Sequence, residues 1–247
     1  MMFQMPVYVV SVKTFTDRHE HIKKQAKQHG LNLQFIWEHD AIELSPESES
    51  KFATNAMPIK SMSCVMKHLE AQRKLLETNH DIALVLEDDA LLFEDFARKL
   101  SEILILIEGK NTPWLVFLGG MDNSLDARFF KSERLTLIES PITTAEAYLI
   151  NRSGCKLRLS WLENHPIAKP ADHLLKELDM RLGITQFRVS SPFVTQGSIT
   201  GRFATALDSS REKKPAWYLN LRYRWNRLRK QYLPRLLSRF EALFLKT

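Results

Sequence analysis

The stretch Ala83-Leu84-Val85-Leu86-Glu87-Asp88-Asp89-Ala90-Leu91-Leu92-Phe93 sets three consecutive carboxylates inside an apolar run. Residues 84–86 read as a buried strand, and residues 90–93 are apolar again. Adjacent acids repel, and a charge buried without a partner is strongly destabilising. Two readings are open. In one, an acid caps the following helix and the others are solvated. In the other, the acids hold a divalent cation. Mg²⁺ and Mn²⁺ take oxygen ligands, commonly one or two carboxylates plus substrate phosphates. Such an ion would relieve the repulsion and neutralise charge developing on a diphosphate leaving group.

Outward from this strand the chain alternates strand and helix patterns. Residues 7–12, VYVVSV, form the first β-rich run. A helix is predicted over roughly 17–29, stopped by Gly30. Residues 33–41, LQFIWEHDA, read as a second strand with acids at its end, and 43–58 as a polar loop or short helices. Apolar residues recur at helical spacing over 61–79, ahead of the acidic strand. A helix then falls within 93–109 and a strand within 114–120, where Gly119-Gly120 allow a tight turn. No helix with a Lys-Ser/Thr pair follows these glycines, so they are not a phosphate loop. Residues 145–165 read as strand up to Ile150 and helix after Ser153. Pro170 opens another helix, and 185–199 are read as the last strand and its loop. The expected class is α/β, with a mixed, mainly parallel central sheet in one Rossmann-like domain. Ligands in such sheets bind outside the carboxyl ends of the strands, where the acids stand.

Charge divides the chain. Residues 211–247 hold eleven Lys or Arg and two Glu, a balance of +9, leaving −3 on the remainder of a +6 chain. A boundary is therefore expected near Ser209-Ser210, separating a domain over 1–210 from a basic helical tail over 211–247. The tail interleaves cations with Trp217, Leu221, Trp225, Leu228 and further apolar residues. Basic and aromatic together read as an anionic membrane surface. A helix packed on the body is the second reading, and nucleic acid is the least favoured. With 247 residues, 44% of them hydrophobic, the chain is long enough for a substantial core. Cys64 and Cys155 make no disulfide framework, which suggests a reduced, intracellular setting. No signal peptide and no membrane span are expected.

Four blocks occur in order: residues 7–41, "CVMKHLEAQRKLLETNHDIALVLEDDALL", "TTAEAYLINRSGCKLRL" and "PADHLLKEL". Together they resemble the bacterial lipooligosaccharide glycosyltransferases of glycosyltransferase family 25, over roughly residues 6–200. The resemblance implies a GT-A-like fold, a nucleotide-sugar donor, often UDP-galactose, and inverting chemistry. Glu87-Asp88-Asp89 stands where the family has its version of the D-x-D motif. By the resemblance, Glu87 and Asp89 would bind Mn²⁺ or Mg²⁺, and Asp88 the donor's ribose or sugar. Val10, Ser11, Arg18, Asp40, His68 and Gln196 fall at positions implied to contact the donor. Asp172 would be the general base toward a lipid-linked oligosaccharide acceptor. Membrane attachment on the cytoplasmic face of the inner membrane would suit such an acceptor. The sequence departs from the family pattern at Ser61, at Lys67 and at Thr143-Thr144, where Glu, Ser and Gly are usual.

Each residue also has a plainer reading. Arg18 fits a surface arginine, His68 a core histidine, Cys64 a small core residue, and Asp172 the first-turn acid of a helix. Glu146, a second candidate base, reads more simply as a surface strand residue. Two rival functions stand beside this reading. A metal-dependent phosphohydrolase needs a nucleophilic Asp directly after the first strand, and Asp17 lies well beyond Val12. An adaptor binding membrane or nucleic acid without turnover would be compatible with the departures at Ser61 and Lys67.

Overall fold

The computed structural model describes residues 3–120, 134–205, 214–234 and 236. Its elements begin β1 (Val7–Val10), α1 (Thr16–His29), β2 (Leu33–Ile36), α2 (Pro46–Glu49), α3 (Ile59–Glu77), β3 (Ile82–Glu87), β4 (Ala90–Leu92), α4 (Phe96–Ile107) and β5 (Trp114–Phe117). They continue with β6 (Leu137–Glu139), β7 (Ala147–Asn151), α5 (Arg152–Leu162), α6 (Ala171–Leu182), β8 (Thr185–Val189), β9 (Val194–Gln196), α7 (Gly197–Thr200) and α8 (Ala216–Arg227). Gly30 ends α1 in the left-handed conformation at φ 67°, as the sequence predicts.

Seven strands form the central sheet in the order β2-β1-β3-β7-β5-β8-β6. Five share one direction, while β7 and β6 run against them. The α/β class and the mixed, mainly parallel sheet agree with the sequence reading. Two strands were missed. The three-residue β6 shows no resolvable alternation. β9 lies in what was read as loop, and pairs antiparallel with β4 in a separate two-stranded sheet.

Alternation along the buried strands builds two cores. Val7, Val9, Leu84, Leu86, Val116 and Leu149 pack against Ile22 of α1 and Phe96, Leu100 and Ile103 of α4. Tyr8, Val10, Ala83, Val85, Leu115, Phe117, Tyr148 and Ile150 pack against Ala71 and Leu75 of α3, Cys155 of α5 and Leu175 of α6. Burial on both faces explains why β1, β3 and β5 read as continuous apolar runs.

The helix α8 packs against α7 through buried Leu219 and Tyr223. The Ala216 backbone lies against Gly201, and Arg227 stacks over Phe93. Its opposite side exposes Trp217 and Trp225 at 68% and 61%. The boundary expected at Ser209-Ser210 lies outside the described residues. Among those described, no helix is long and apolar enough to cross a membrane.

One buried ion pair ties three elements together. Arg158 of α5 donates from Nε and Nη2 to both oxygens of Asp179 on α6, at 2.5 and 2.8 Å. Gln186 of β8 adds a third donor at 2.6 Å, and both charged groups are 0% exposed. Asp179→Ala strands the guanidinium, so a loss of about 3–5 kcal/mol in denaturant unfolding is expected. Replacing both partners, Arg158→Met with Asp179→Leu, should cost much less. Equal losses in the two variants would contradict this account.

Candidate active site at the carboxyl edge of the sheet

Strand alternation distributes the acids. Glu87 follows Ala83 and Val85 in register and turns toward α3, while Asp88 turns toward α1. Asp89, past the strand, faces the start of α7. Three neighbours in sequence thus meet three different environments.

On the α3 side, Glu87 accepts a hydrogen bond from Gln196 at the end of β9. The Nε2 of His68 lies 3.6 Å from its Oε1. The other imidazole nitrogen is 3.0 Å from the hydroxyl of Tyr148, on β7. Cys64, one turn earlier on α3, shares this face. Burial pushes the Glu87 carboxyl up, but His68, Gln196 and the charge of Arg18 outweigh it and hold it below the usual glutamate value. Asp172, in the first turn of α6, is half-buried and accepts from the backbone N–H of His173 at 2.9 Å. Its charge helps to raise the Cys64 thiol, after burial and Glu87, so it lies within electrostatic reach of α3.

On the α1 side, Asp88 is fully engaged. Arg18 donates to Oδ1 at 2.8 Å and Ser11 to Oδ2 at 2.7 Å. The Ser11 hydroxyl in turn lies 2.8 Å from His19. Arg18 also donates to the Ala204 carbonyl and stacks over Phe15 and Phe203. It is a nearly buried structural cation, not a surface arginine. Val10 accepts the Asp88 backbone N–H at 3.1 Å. Asp89 accepts from the Ser198 N–H through Oδ2 and from Gly197 through its carbonyl, at 3.0 and 2.8 Å. Burial, reinforced by Glu87, pushes the Asp89 carboxyl up to about 6.

The antiparallel course of β7 delivers its entry to this same edge. Glu146, just before it, is only 4% exposed, which corrects the expectation of a surface residue. Its Oε1 accepts the Gly120 N–H at 2.5 Å, and its carbonyl accepts the Glu87 N–H at 3.0 Å. A Cβ at Gly119 would lie 2.0 Å from that Oε1 and 2.8 Å from Cγ, so the glycine is there for space. Burial raises the Glu146 carboxyl to about 7, with Glu87 and Asp89 contributing.

A model of glycosyltransferase family 25 (LPS biosynthesis protein) matches residues 4–175. The chain belongs to glycosyltransferase family 25. It is accordingly a glycosyltransferase, and the matched segment contains every site residue described above except those of β9, α7 and Ala204-adjacent turns. A search of curated proteins found no match. Solved structures give distant likenesses. A complex of the galactosyltransferase LgtC with donor and acceptor sugar analogues is 13% identical, covering 87% of this chain and 83% of that one, at a TM-score of 0.38. The apo glycosyltransferase GlyE of Streptococcus pneumoniae is 11% identical, covering 97% and 64%, at 0.46. A CMP-2-keto-3-deoxy-manno-octonic acid synthetase with CTP is 13% identical, covering 75% and 89%, at 0.41.

Within this family-25 chain, the structure gathers Val10, Ser11, Arg18, His68, Glu87, Asp88, Asp89 and Gln196 into one network. Asp40 stands at the same edge in a separate buried pair. Lys67 reaches its Oδ1 at 2.8 Å and donates to the Glu38 carbonyl at 2.7 Å. The departure at Lys67 thus places a cation beside Asp40. His19 and Ser198 were missed by sequence reasoning. His19 sits one position past Arg18, where helical direction could have flagged it, whereas Ser198 carries no local signal.

The raised Glu146 carboxyl has a pH consequence. Between about pH 4.5 and 7 the folded chain holds this proton while the unfolded chain releases it. The contribution of this group therefore worsens as pH rises across that window, by about 3 kcal/mol in all. Glu146→Gln is expected to unfold at higher denaturant than wild type at pH 8 and at the same denaturant near pH 4. A difference independent of pH would show that Glu146 does not titrate in this way.

Proposed function

We propose that this glycosyltransferase is an inverting, metal-dependent hexosyltransferase. It moves a hexose, with galactose the first candidate, from a UDP-sugar to the oligosaccharide of a lipid-linked lipooligosaccharide or lipopolysaccharide acceptor. One observation carries the reading: three carboxylates with different fixed partners stand at the carboxyl edge of the sheet, with Asp172 on α6 within electrostatic reach of Cys64 on the Glu87 side. The surplus of negative charge suits a cation. Asp89 is raised by burial and then by its acidic neighbours, and the buried Nε2 of His68 faces Glu87 without a hydrogen-bond partner. Glu87 and Asp89 would hold Mn²⁺ or Mg²⁺. The ion would supply charge neutralisation at the leaving diphosphate. Asp89 gives one oxygen to Ser198 and would offer the other.

In this proposal the acceptor hydroxyl attacks the anomeric carbon from the face opposite the diphosphate. Its oxygen forms the new bond, the bond to the UDP oxygen breaks, and Asp172 takes the proton. The first-turn position of Asp172 is compatible with this, because among the described residues its carboxylate accepts only from the His173 backbone N–H. Val10, Ser11, Arg18, Asp40, His68, Asp88 and Gln196 form the proposed donor surround. Arg18 and Asp88 hold each other, so a donor group would engage either by exchanging that bond.

The exposed side of α8 supports a peripheral membrane role at the cytoplasmic face of the inner membrane, with 1–210 as the catalytic unit and 211–247 as the attachment. Trp217, Leu221 and Trp225 project beside exposed Arg222, Arg224 and Arg229, while Leu219 and Tyr223 anchor the helix to the body. Each cation near an anionic leaflet contributes about 1 kcal/mol.

Asp89→Asn, or excess chelator, is expected to lower UDP release from UDP-hexose with acceptor by roughly a hundredfold or more. Full activity in both would remove the metal from the mechanism. For Asp172→Asn, donor binding should persist while rate falls ~10²–10⁴-fold. Collapse of donor affinity with normal residual turnover would make Asp172 a donor ligand instead. The quadruple variant Trp217→Ser, Arg222→Glu, Arg224→Glu, Trp225→Ser alters only exposed positions. In sedimentation it should no longer follow anionic vesicles that capture the wild type. Unchanged capture would sink the membrane role of α8.

A further inference from the structure

Behind the acidic triplet, three potential ligands of mixed chemistry converge. Cys64 and His68 lie one turn apart on α3, so their side chains share a face. Glu87 enters from β3. One ligand atom from each lies within 4.8 Å of the other two. Donors on bonds of ~2.0–2.3 Å around a tetrahedral ion sit roughly 3.3–3.8 Å apart. The Nε2–Oε1 separation is already 3.6 Å, so modest side-chain rotation closes the set.

The state of His68 is an independent observation. Its side chain is 2% exposed, and its Nε2 has no hydrogen-bond partner. An orphaned buried polar atom is destabilising until something pairs with it. In the tautomer whose Nδ1–H donates to the Tyr148 hydroxyl, Nε2 presents a lone pair toward the Glu87 carboxylate. A cation between them would engage both atoms and satisfy the nitrogen. A proton on Nε2 does not satisfy it, since 3.6 Å is too long for a hydrogen bond. The Tyr148 contact is also what an outer partner of a ligating histidine provides: it fixes the ring and the tautomer.

Thiolate and imidazole beside one carboxylate form a borderline-soft donor set, unlike the all-oxygen sets of Mg²⁺ and Mn²⁺. We propose that Cys64, His68 and Glu87 bind a borderline transition-metal ion of the zinc class, with Tyr148 as the residue that positions His68. The proposed site is distinct from the Mn²⁺ or Mg²⁺ position of Glu87 and Asp89 above, shares only Glu87 with it, and does not depend on which sugar is moved. Three protein ligands leave a fourth position open, the arrangement of ions that meet substrate or water.

Co²⁺ is the probe, added to the full-length, metal-stripped chain. One equivalent should bind with a near-ultraviolet thiolate-to-cobalt charge-transfer band and the visible bands of four-coordinate Co²⁺. Zn²⁺ should displace it and excess Mg²⁺ should not. Cys64→Ser should abolish the charge-transfer band, and His68→Gln should weaken binding at least tenfold. Tyr148→Phe should keep the band and weaken binding roughly 10–100-fold. Absence of the band in wild type, or its survival in Cys64→Ser, overturns the site. Should Cys64→Ser fail to fold, alkylation of Cys64 in the wild type decides: Zn²⁺ should protect the thiol, and equal alkylation with and without Zn²⁺ overturns the site. UDP-hexose binding, followed separately by calorimetry, keeps the two readings apart. The cobalt band without donor binding upholds this site and removes the donor assignment, whereas donor binding without the band does the reverse.

Discussion

Three adjacent anions at the end of a buried strand persist only if each is turned toward a different counterpart. Two unit charges ~5 Å apart repel by roughly 3 kcal/mol at an effective dielectric of ~20. The chain meets this by geometry. Alternation along β3 sends Glu87 to α3 and Asp88 to α1, and the turn that follows sends Asp89 to α7. Arg18 and Ser11 then satisfy Asp88 completely, Ser198 donates to Asp89, and Gln196 donates to Glu87. Most of what surrounds the sheet edge exists in relation to this separation. The two-stranded β4–β9 sheet brings Gln196 to Glu87 and the start of α7 to Asp89. The reversed course of β7 brings Glu146 and Tyr148 to the same edge.

The compensation is incomplete, and the proposed function rests on that. Asp88 has a full-strength cation, but Asp89 has only a backbone donor and is held up to about 6. Glu146 carries its excess as a raised carboxyl, held on the Gly120 N–H. His68 faces Glu87 with an orphaned nitrogen. In the proposed reading, a cation would complete this electrostatically unfinished side of the site. The Arg158–Asp179 pair offers the contrast. It is charged and buried more deeply, yet balanced by opposite charge, and it serves to hold α5, α6 and β8 together.

Much of this was legible in the sequence. The apolar run ending in Glu87-Asp88-Asp89 pointed to the candidate site, and strand–helix alternation gave the class. Gly30 and Pro170 marked helix ends by backbone constraints that need no tertiary context. Other features were not legible. Glu146 looked like a surface residue because its burial comes from Gly119-Gly120 and the antiparallel placement of β7, neither visible in local pattern. β9 and β6 are three residues each, too short for period-two reading. Lys67 appeared only as a departure from the family pattern. Its counter-ion, Asp40, is 27 residues away and comes to it through the β1-β2-α3 arrangement. The tail read as amphipathic, but only the structure separates its packed residues, Leu219 and Tyr223, from the exposed tryptophans.

The central claim is that this sheet edge binds a nucleoside-diphosphate sugar through a cation. A thermal-shift panel of nucleotide sugars, run on the full-length chain with and without Mn²⁺, tests it most directly. The account gives a rise in Tm for UDP-hexoses that requires the cation and exceeds the rise with Mn²⁺ alone. A panel in which no nucleotide sugar moves Tm, or in which one does so equally with chelator present, would contradict it.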